Sequence, residues 1–116
     1  MSKFECTLKG DFNNIVAWFD NGIIGKSVSA SFEDGSDYLG NNVRVAVRVY
    51  ERYSVFGKNR VSLNLTFISE GEDVCISAIT SGGSQAVFYK VNTISEENFL
   101  DSVRTVANEY ISSQSS

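Results

Sequence analysis

Val43-Arg44-Val45-Ala46-Val47-Arg48-Val49-Tyr50 and, after a short break, Val61-Ser62-Leu63-Asn64-Leu65-Thr66-Phe67 decide the fold. Apolar and polar residues alternate through both stretches, and successive side chains of a strand point to opposite faces of its sheet. The pattern predicts a long β-hairpin with one dry face and one polar face, turning near Phe56-Gly57-Lys58-Asn59. If the hairpin's valines and leucines face the core, Arg44, Arg48, Tyr50, Ser62, Asn64 and Thr66 share the other face.

Working toward the N-terminus, Val28, Ala30 and Phe32 alternate with Ser27, Ser29 and Ser31, which predicts a strand. Asp34-Gly35 and Gly40-Asn41-Asn42 predict a turn-rich connection into the hairpin. Before that strand, Phe12, Ile15, Val16 and Phe19 recur at helical spacing, with Asp11 as N-cap and Asn21-Gly22 as the stop. Phe4, Cys6 and Leu8 alternate with charged and polar residues and predict the first strand.

Toward the C-terminus, Glu70-Gly71-Glu72-Asp73 predicts a turn, and Val74 to Thr80 a strand whose buried face the alternation leaves open. Ser81-Gly82-Gly83-Ser84 reads as a break and Ala86 to Val91 as a last strand. A final helix opens with Ser95 as N-cap and a hydrophobic staple from Ile94 to Phe99, and its stripe is Phe99, Val103, Val106, Ala107 and Tyr110. Residues 1–111 are expected to form one domain and 112–116 a frayed C-terminal tail.

The predicted class is α+β: a two-layer fold with an antiparallel sheet of five to six strands and two helices on one face. Each helix has a single apolar stripe and therefore needs one sheet face to cover. This order is similar to the TATA-binding-protein-like and helix-grip folds, an architectural likeness that does not fix function.

Composition bounds the chemistry. The chain has 116 residues, a net charge of −4 and no histidine or proline. The negative field opposes nucleic acid and anionic lipid. The absence of histidine removes the commonest general base and a common metal ligand. No apolar stretch is long enough for a membrane span or a secretory signal, so a cytoplasmic location is expected. Cys6 shares a face with Phe4 and Leu8; if Val74 and Ile76 point inward, Cys75 points away, and the two thiols stay reduced.

Five groups invite a functional reading. Arg44, Arg48, Tyr50, Asn64 and Thr66 on the open sheet face could hold a carboxylate or phosphate; the bland alternative is a solvated face with arginine stems lying along the strands. A dimer through that face is the third reading, with Ala46, Ile68 and either Ile79 or Phe88 adding apolar area. The large aromatics could line a pocket between sheet and helices, or simply fill the core. Trp18 stands at the margin of its helix stripe and is the candidate for a pocket mouth or contact surface. Ser81-Gly82-Gly83-Ser84-Gln85 lacks the lysine and context of a phosphate loop and reads as a turn, as does Asp34-Gly35-Ser36-Asp37, whose spacing is not that of an EF-hand. Glu51 falls on the valine face and would need a partner such as Arg60 across the hairpin.

Ala46-Val47-Arg48-Val49-Tyr50-Glu51-Arg52-Tyr53-Ser54, Asn59-Arg60-Val61-Ser62-Leu63-Asn64 and Ser77-Ala78-Ile79-Thr80-Ser81-Gly82-Gly83-Ser84-Gln85-Ala86 resemble a family of small bacterial proteins of unknown function. The resemblance implies a stand-alone bacterial cytoplasmic protein and carries no activity or functional residues. With no catalytic constellation and no cofactor expected, the residues point to an interaction module. Its partner would be a small ligand or a protein, or a second copy in a homodimer, with no membrane; nucleic acid ranks a distant third, supported only by the arginine stripe and opposed by the net charge. The alternative is an enzyme or hydrophobic-ligand carrier with a pocket between sheet and helices.

Overall fold

The computed structural model describes residues 1–27, 29–54, 59–82 and 89–114. The alternation of the first residues forms β1 (Ser2–Lys9), with Phe4, Cys6 and Leu8 toward the core. Asp11 then caps α1 (Phe12–Lys26), its carboxylate accepting from the Asn14 backbone N–H at 3.0 Å. Four strands follow: β2 (Ser31–Gly40), β3 (Val43–Ser54), β4 (Asn59–Glu70) and β5 (Asp73–Ser81). The chain ends in α2 (Tyr89–Gln114).

The five strands make one antiparallel sheet in the order β1-β5-β4-β3-β2, so α1 carries the chain from one sheet edge to the other. Both tight turns are two residues long, Asn41-Asn42 and Gly71-Glu72, and Asn42 and Gly71 supply the positive φ values, 61° and 63°, that such hairpins require. The α+β class and the five-stranded sheet agree with the pattern read from the sequence.

Several element boundaries differ from the sequence reading. α1 does not stop at Asn21-Gly22; it continues to Lys26 because Ile23 extends the buried stripe. Gly22 lets α1 approach α2, for a Cβ built there would stand 2.7 Å from a Val106 methyl. β2 starts at Ser31, and Val28 lies outside the described residues. Asp34-Gly35-Ser36-Asp37 is strand rather than turn, because it pairs with β3 across a bulge between Phe32 and Asp34.

At the other end, the first half of the expected strand over Ala86 to Val91, residues 86–88, lies outside the described residues, and from Tyr89 onward the chain is helix rather than strand. No glycine or proline stops a helix between Tyr89 and Ser95, and β-branched residues there lower propensity only by tenths of a kcal/mol, roughly. Ser95 therefore lies inside α2 rather than at its N-cap, and Ile94 is exposed rather than packed as a staple. Residues 112–114 belong to α2 rather than to a tail.

The core fills the space between sheet and helices. Val61, Leu63, Leu65 and Phe67 of β4 and Val74, Ile76 and Ala78 of β5 meet Ile15, Phe19 and Ile23 of α1 and Phe99, Leu100, Val103 and Val106 of α2. Phe19 stands edge-on to Phe67 with ring centres 5.6 Å apart. This settles the facing of β5: Val74, Ile76 and Ala78 point inward and Cys75 outward.

The Gly22 contact yields a direct test. In an ordinary helix interior, replacing glycine with alanine stabilises by about 1 kcal/mol. At Gly22 the added methyl must displace the buried Val106 side chain, so Gly22→Ala should instead lower stability by roughly 1–3 kcal/mol in urea unfolding.

Candidate functional site

The hairpin register decides which surfaces are available. Ala46 pairs with Phe67, Arg48 with Leu65, Tyr50 with Leu63 and Arg52 with Val61. Paired residues project to the same side, so the large apolar residues of β4 draw the even-numbered positions of β3 onto the helix side. Val43, Val45, Val47 and Val49 thus lie on the uncovered face, opposite Glu70, Ile68, Thr66 and Asn64. The expected face of Arg44, Arg48, Tyr50, Asn64 and Thr66 is therefore not one surface. Arg44, Arg48 and Tyr50 lie on the helix side, and Asn64 and Thr66 on the open side.

On the helix side, the polar groups of β3 are engaged in tying layers together. Tyr50 is fully buried, and its hydroxyl donates to Asp20 of α1 at 2.7 Å. Burial first, and then the Asp20 carboxylate, push the Tyr50 hydroxyl far above its ordinary range. The Arg44 guanidinium lies 4.7 Å from the centre of the Phe12 ring and donates to the Asn13 side chain at 2.6 Å. Arg48 pairs with Asp37 of β2 at 2.9 Å, and Arg52 lies over Phe99. Burial lowers the pKa of Arg52.

β2 extends beyond the helix layer, and all of its residues from Ser31 to Leu39 are exposed. The step between α1 and β2 leaves a groove of about 380 Å³ lined by Phe12, Asn13, Val16, Ala17, Asp20, Phe32, Asp37 and Arg48. Its charged groups already hold one another or the core: Arg48 takes Asp37, and Asp20 takes the Tyr50 hydroxyl. Trp18 is not among the lining residues. Its indole N–H donates to the Val106 carbonyl at 3.1 Å and its ring meets Tyr110 edge-on, so it joins α1 to α2. Among the described residues, Phe19, Phe67 and Phe99 are each 0% exposed and pack into the inter-layer space where a ligand pocket was an alternative.

The uncovered face is laid out in rows across all five strands. One row runs Lys3-Ile79-Asn64-Val49-Asp34, the next Glu5-Ser77-Thr66-Val47-Ser36, and the third Thr7-Cys75-Ile68-Val45-Tyr38. Charge is confined to the edge strands in these rows; every position on β5, β4 and β3 is neutral. Ile68 and Ile79 are each 40% exposed and Tyr38 63%. A shallow depression of about 380 Å³ lies across its β1-β5-β4 part, beside Thr7, Thr66, Ile68 and Cys75. The Glu51–Arg60 ion pair expected from the sequence is present, but on this open face, because Glu51 follows the valines outward.

The sequence reading missed Glu96. It is only 5% exposed, accepts from the Gly82 N–H at 2.6 Å and lies 2.9 Å from the Met1 amino group. The first glycine of the Ser81-Gly82-Gly83-Ser84-Gln85 stretch thus spends its N–H on the protein's own carboxylate; Ser81 closes β5, and Gly83, Ser84 and Gln85 lie outside the described residues. No local pattern marks Glu96, because its burial follows from α2 starting earlier than its capping residues suggest. Among the described residues, no group of three or more Cys, Asp or Glu converges as a metal site. Cys6 and Cys75 are both free, and burial raises the Cys6 thiol above its ordinary value.

Burial of the Tyr50 hydroxyl, and then its bond to Asp20, make stability depend on alkaline pH. The folded chain holds the hydroxyl protonated well above its ordinary value of 10.0. Its contribution is therefore complete below about pH 10 and is lost as pH rises past it toward the folded-state value. Tyr50→Phe should lower stability at pH 7 by about 1.5–3 kcal/mol. In urea unfolding against pH, the variant should also lose part of the alkaline decline of the unsubstituted chain.

No curated protein and no solved structure matches the chain. Among the described residues, no helix is long and apolar enough to cross a membrane. A family model matches residues 1–111, and the chain belongs to that family, described as a family of unknown function (DUF6054).

Proposed function

We propose that this chain is a non-catalytic interaction module whose working surface is the uncovered face of its sheet. One observation carries the reading: Val43, Val45, Val47 and Val49 lie on that face with Ile68 and Ile79, and no helix among the described residues covers them. Contiguous apolar surface of this kind is uncommon on isolated soluble domains and marks contact sites. Charged side chains at its edges discourage indiscriminate sheet pairing while leaving the centre free to dock.

The arginines argue for the same surface by elimination. Arg44, Arg48 and Arg52 are held by Asn13, Asp37 and the Phe99 ring, so they do not form the basic stripe a nucleic acid would need. The module is proposed to work in the bacterial cytoplasm, a reading supported by two free cysteines on opposite sides of the sheet. Its strand and helix order is the one read as similar to TATA-binding-protein-like and helix-grip folds, and that likeness carries no activity.

Cys75 provides the test, because it lies on the proposed surface while Cys6 lies on the helix side as an internal control. Alkylation of Cys75 should be several-fold slower in intact cells than in dilute purified protein. Val47→Lys should remove the difference while leaving the Cys6 rate unchanged. Equal Cys75 rates in cells and in dilute solution would overturn the proposal.

A further inference from the structure

We infer that the occupant of the open face is a second copy of this chain, packed face to face about a twofold axis that runs along β4. The inference rests on the interaction-module reading and names its partner. β4 is the middle strand, so this axis lays β1 over the partner's β2 and β5 over the partner's β3.

The rows that begin at Lys3, Glu5 and Thr7 then become complementary, while in the Lys9-Asp73-Glu70-Val43-Gly40 row at the end of the sheet Glu70 meets its own counterpart and Asp73 lies over Val43. Rotation about an axis along the strands keeps each row level, so Lys3 of one copy stands over Asp34 of the other, and the reverse pair forms at the opposite rim. Neither Lys3 nor Asp34 has an ion-pair partner among the described residues. Between these rims Ile79 covers Val49, Cys75 covers Val45, and Ile68 meets its own counterpart on the axis. The usual inter-sheet angle of about 30° moves the edge strands by a few ångströms, within reach of a lysine side chain.

The other arrangements are less complementary. A twofold axis across the strands, centred between the Glu5 and Thr7 rows, would place Lys3 over Lys9 and Ile79 over Asp73, giving up both Lys3–Asp34 pairs and setting two lysines together. Pairing through the free β2 edges, centred on that strand, would set Asp34 of one copy against Asp37 of the other. Area also fits. Five strands about 4.8 Å apart and eight residues of about 3.3 Å span roughly 24 by 26 Å. Mating two such faces would bury on the order of 1,200 Å² in total, the lower end of the range for specific stable interfaces.

The experiment is sedimentation of the purified chain from low to high micromolar concentration, with folding checked by circular dichroism. The unsubstituted chain should dimerise and Val47→Lys should be a folded monomer. Lys3→Glu alone and Asp34→Lys alone should each weaken the dimer roughly five- to ten-fold, since each removes two exposed cross-pairs. The doubly reversed chain should regain the original affinity. A monomer across the range would overturn the inference, as would a dimer indifferent to the charge reversals. A chain that is monomeric alone but joins a different protein through Val47 would overturn self-pairing and leave the docking face intact. A dimer unaffected by Val47→Lys would overturn both.

Discussion

The structure depends on the register of the β3–β4 ladder, in which Ala46 lies opposite Phe67. That one pairing sets the Leu63, Leu65 and Phe67 side of β4 and the Ala46 and Tyr50 side of β3 on the same face. A slip of one residue would turn every side chain of one strand to the other face. Ala46 is small where Phe19 and Phe67 meet above the sheet, and Tyr50 is long where α1 offers Asp20. The alternative facing would give the helices a row of valines with no partner for Asp20.

From this register follows the division of labour between the two sheet faces. The side that carries most of the arginines is the covered one, and its charges are used internally: Arg48 with Asp37, Arg44 with Asn13 and the Phe12 ring, Arg52 over Phe99. Long side chains of this kind cover aromatic surface with their stems while keeping their heads solvated or paired. The side left to solvent carries valine, isoleucine, threonine and serine, with charge at its rims. The apparent polarity of β3 therefore belongs to the interior, and its apolarity to the surface.

The local patterns in the sequence mark most elements, because periodicity is a local property. The hairpin, the first strand, the Asp11 cap and the Glu70-Gly71-Glu72-Asp73 turn all stand where their residues place them. The Glu51–Arg60 pair was likewise legible from alternation, whereas the facing of Cys75 stayed conditional until the core showed which side of β5 is buried. What was not legible depended on tertiary context. Gly22 reads as a helix stop but is a contact point for Val106, and Asp34-Gly35 reads as a turn but is held as a strand by β3. The candidate face was misread because alternation gives two faces without saying which is covered. In a hairpin whose paired residues sum to an odd number, odd positions of one strand join even positions of the other. The pairing of Ser54 with Asn59 across residues 55–58 sets that parity here, so the valines of β3 and the leucines of β4 part company.

The most direct measurement of the central claim compares Ala46→Asp with Val47→Asp by urea unfolding at concentrations low enough to keep any assembly dissociated. Ala46 is 0% exposed beneath the helices, whereas Val47 faces outward between Thr66 and Ser36. A carboxylate at position 46 would be buried without a partner and should cost several kcal/mol, roughly enough to unfold a domain of this size. At position 47 the account predicts a loss of about 1 kcal/mol or less, the scale of ordinary strand-surface changes. A chain that tolerates Ala46→Asp and unfolds with Val47→Asp would contradict the register on which the covered and open faces depend.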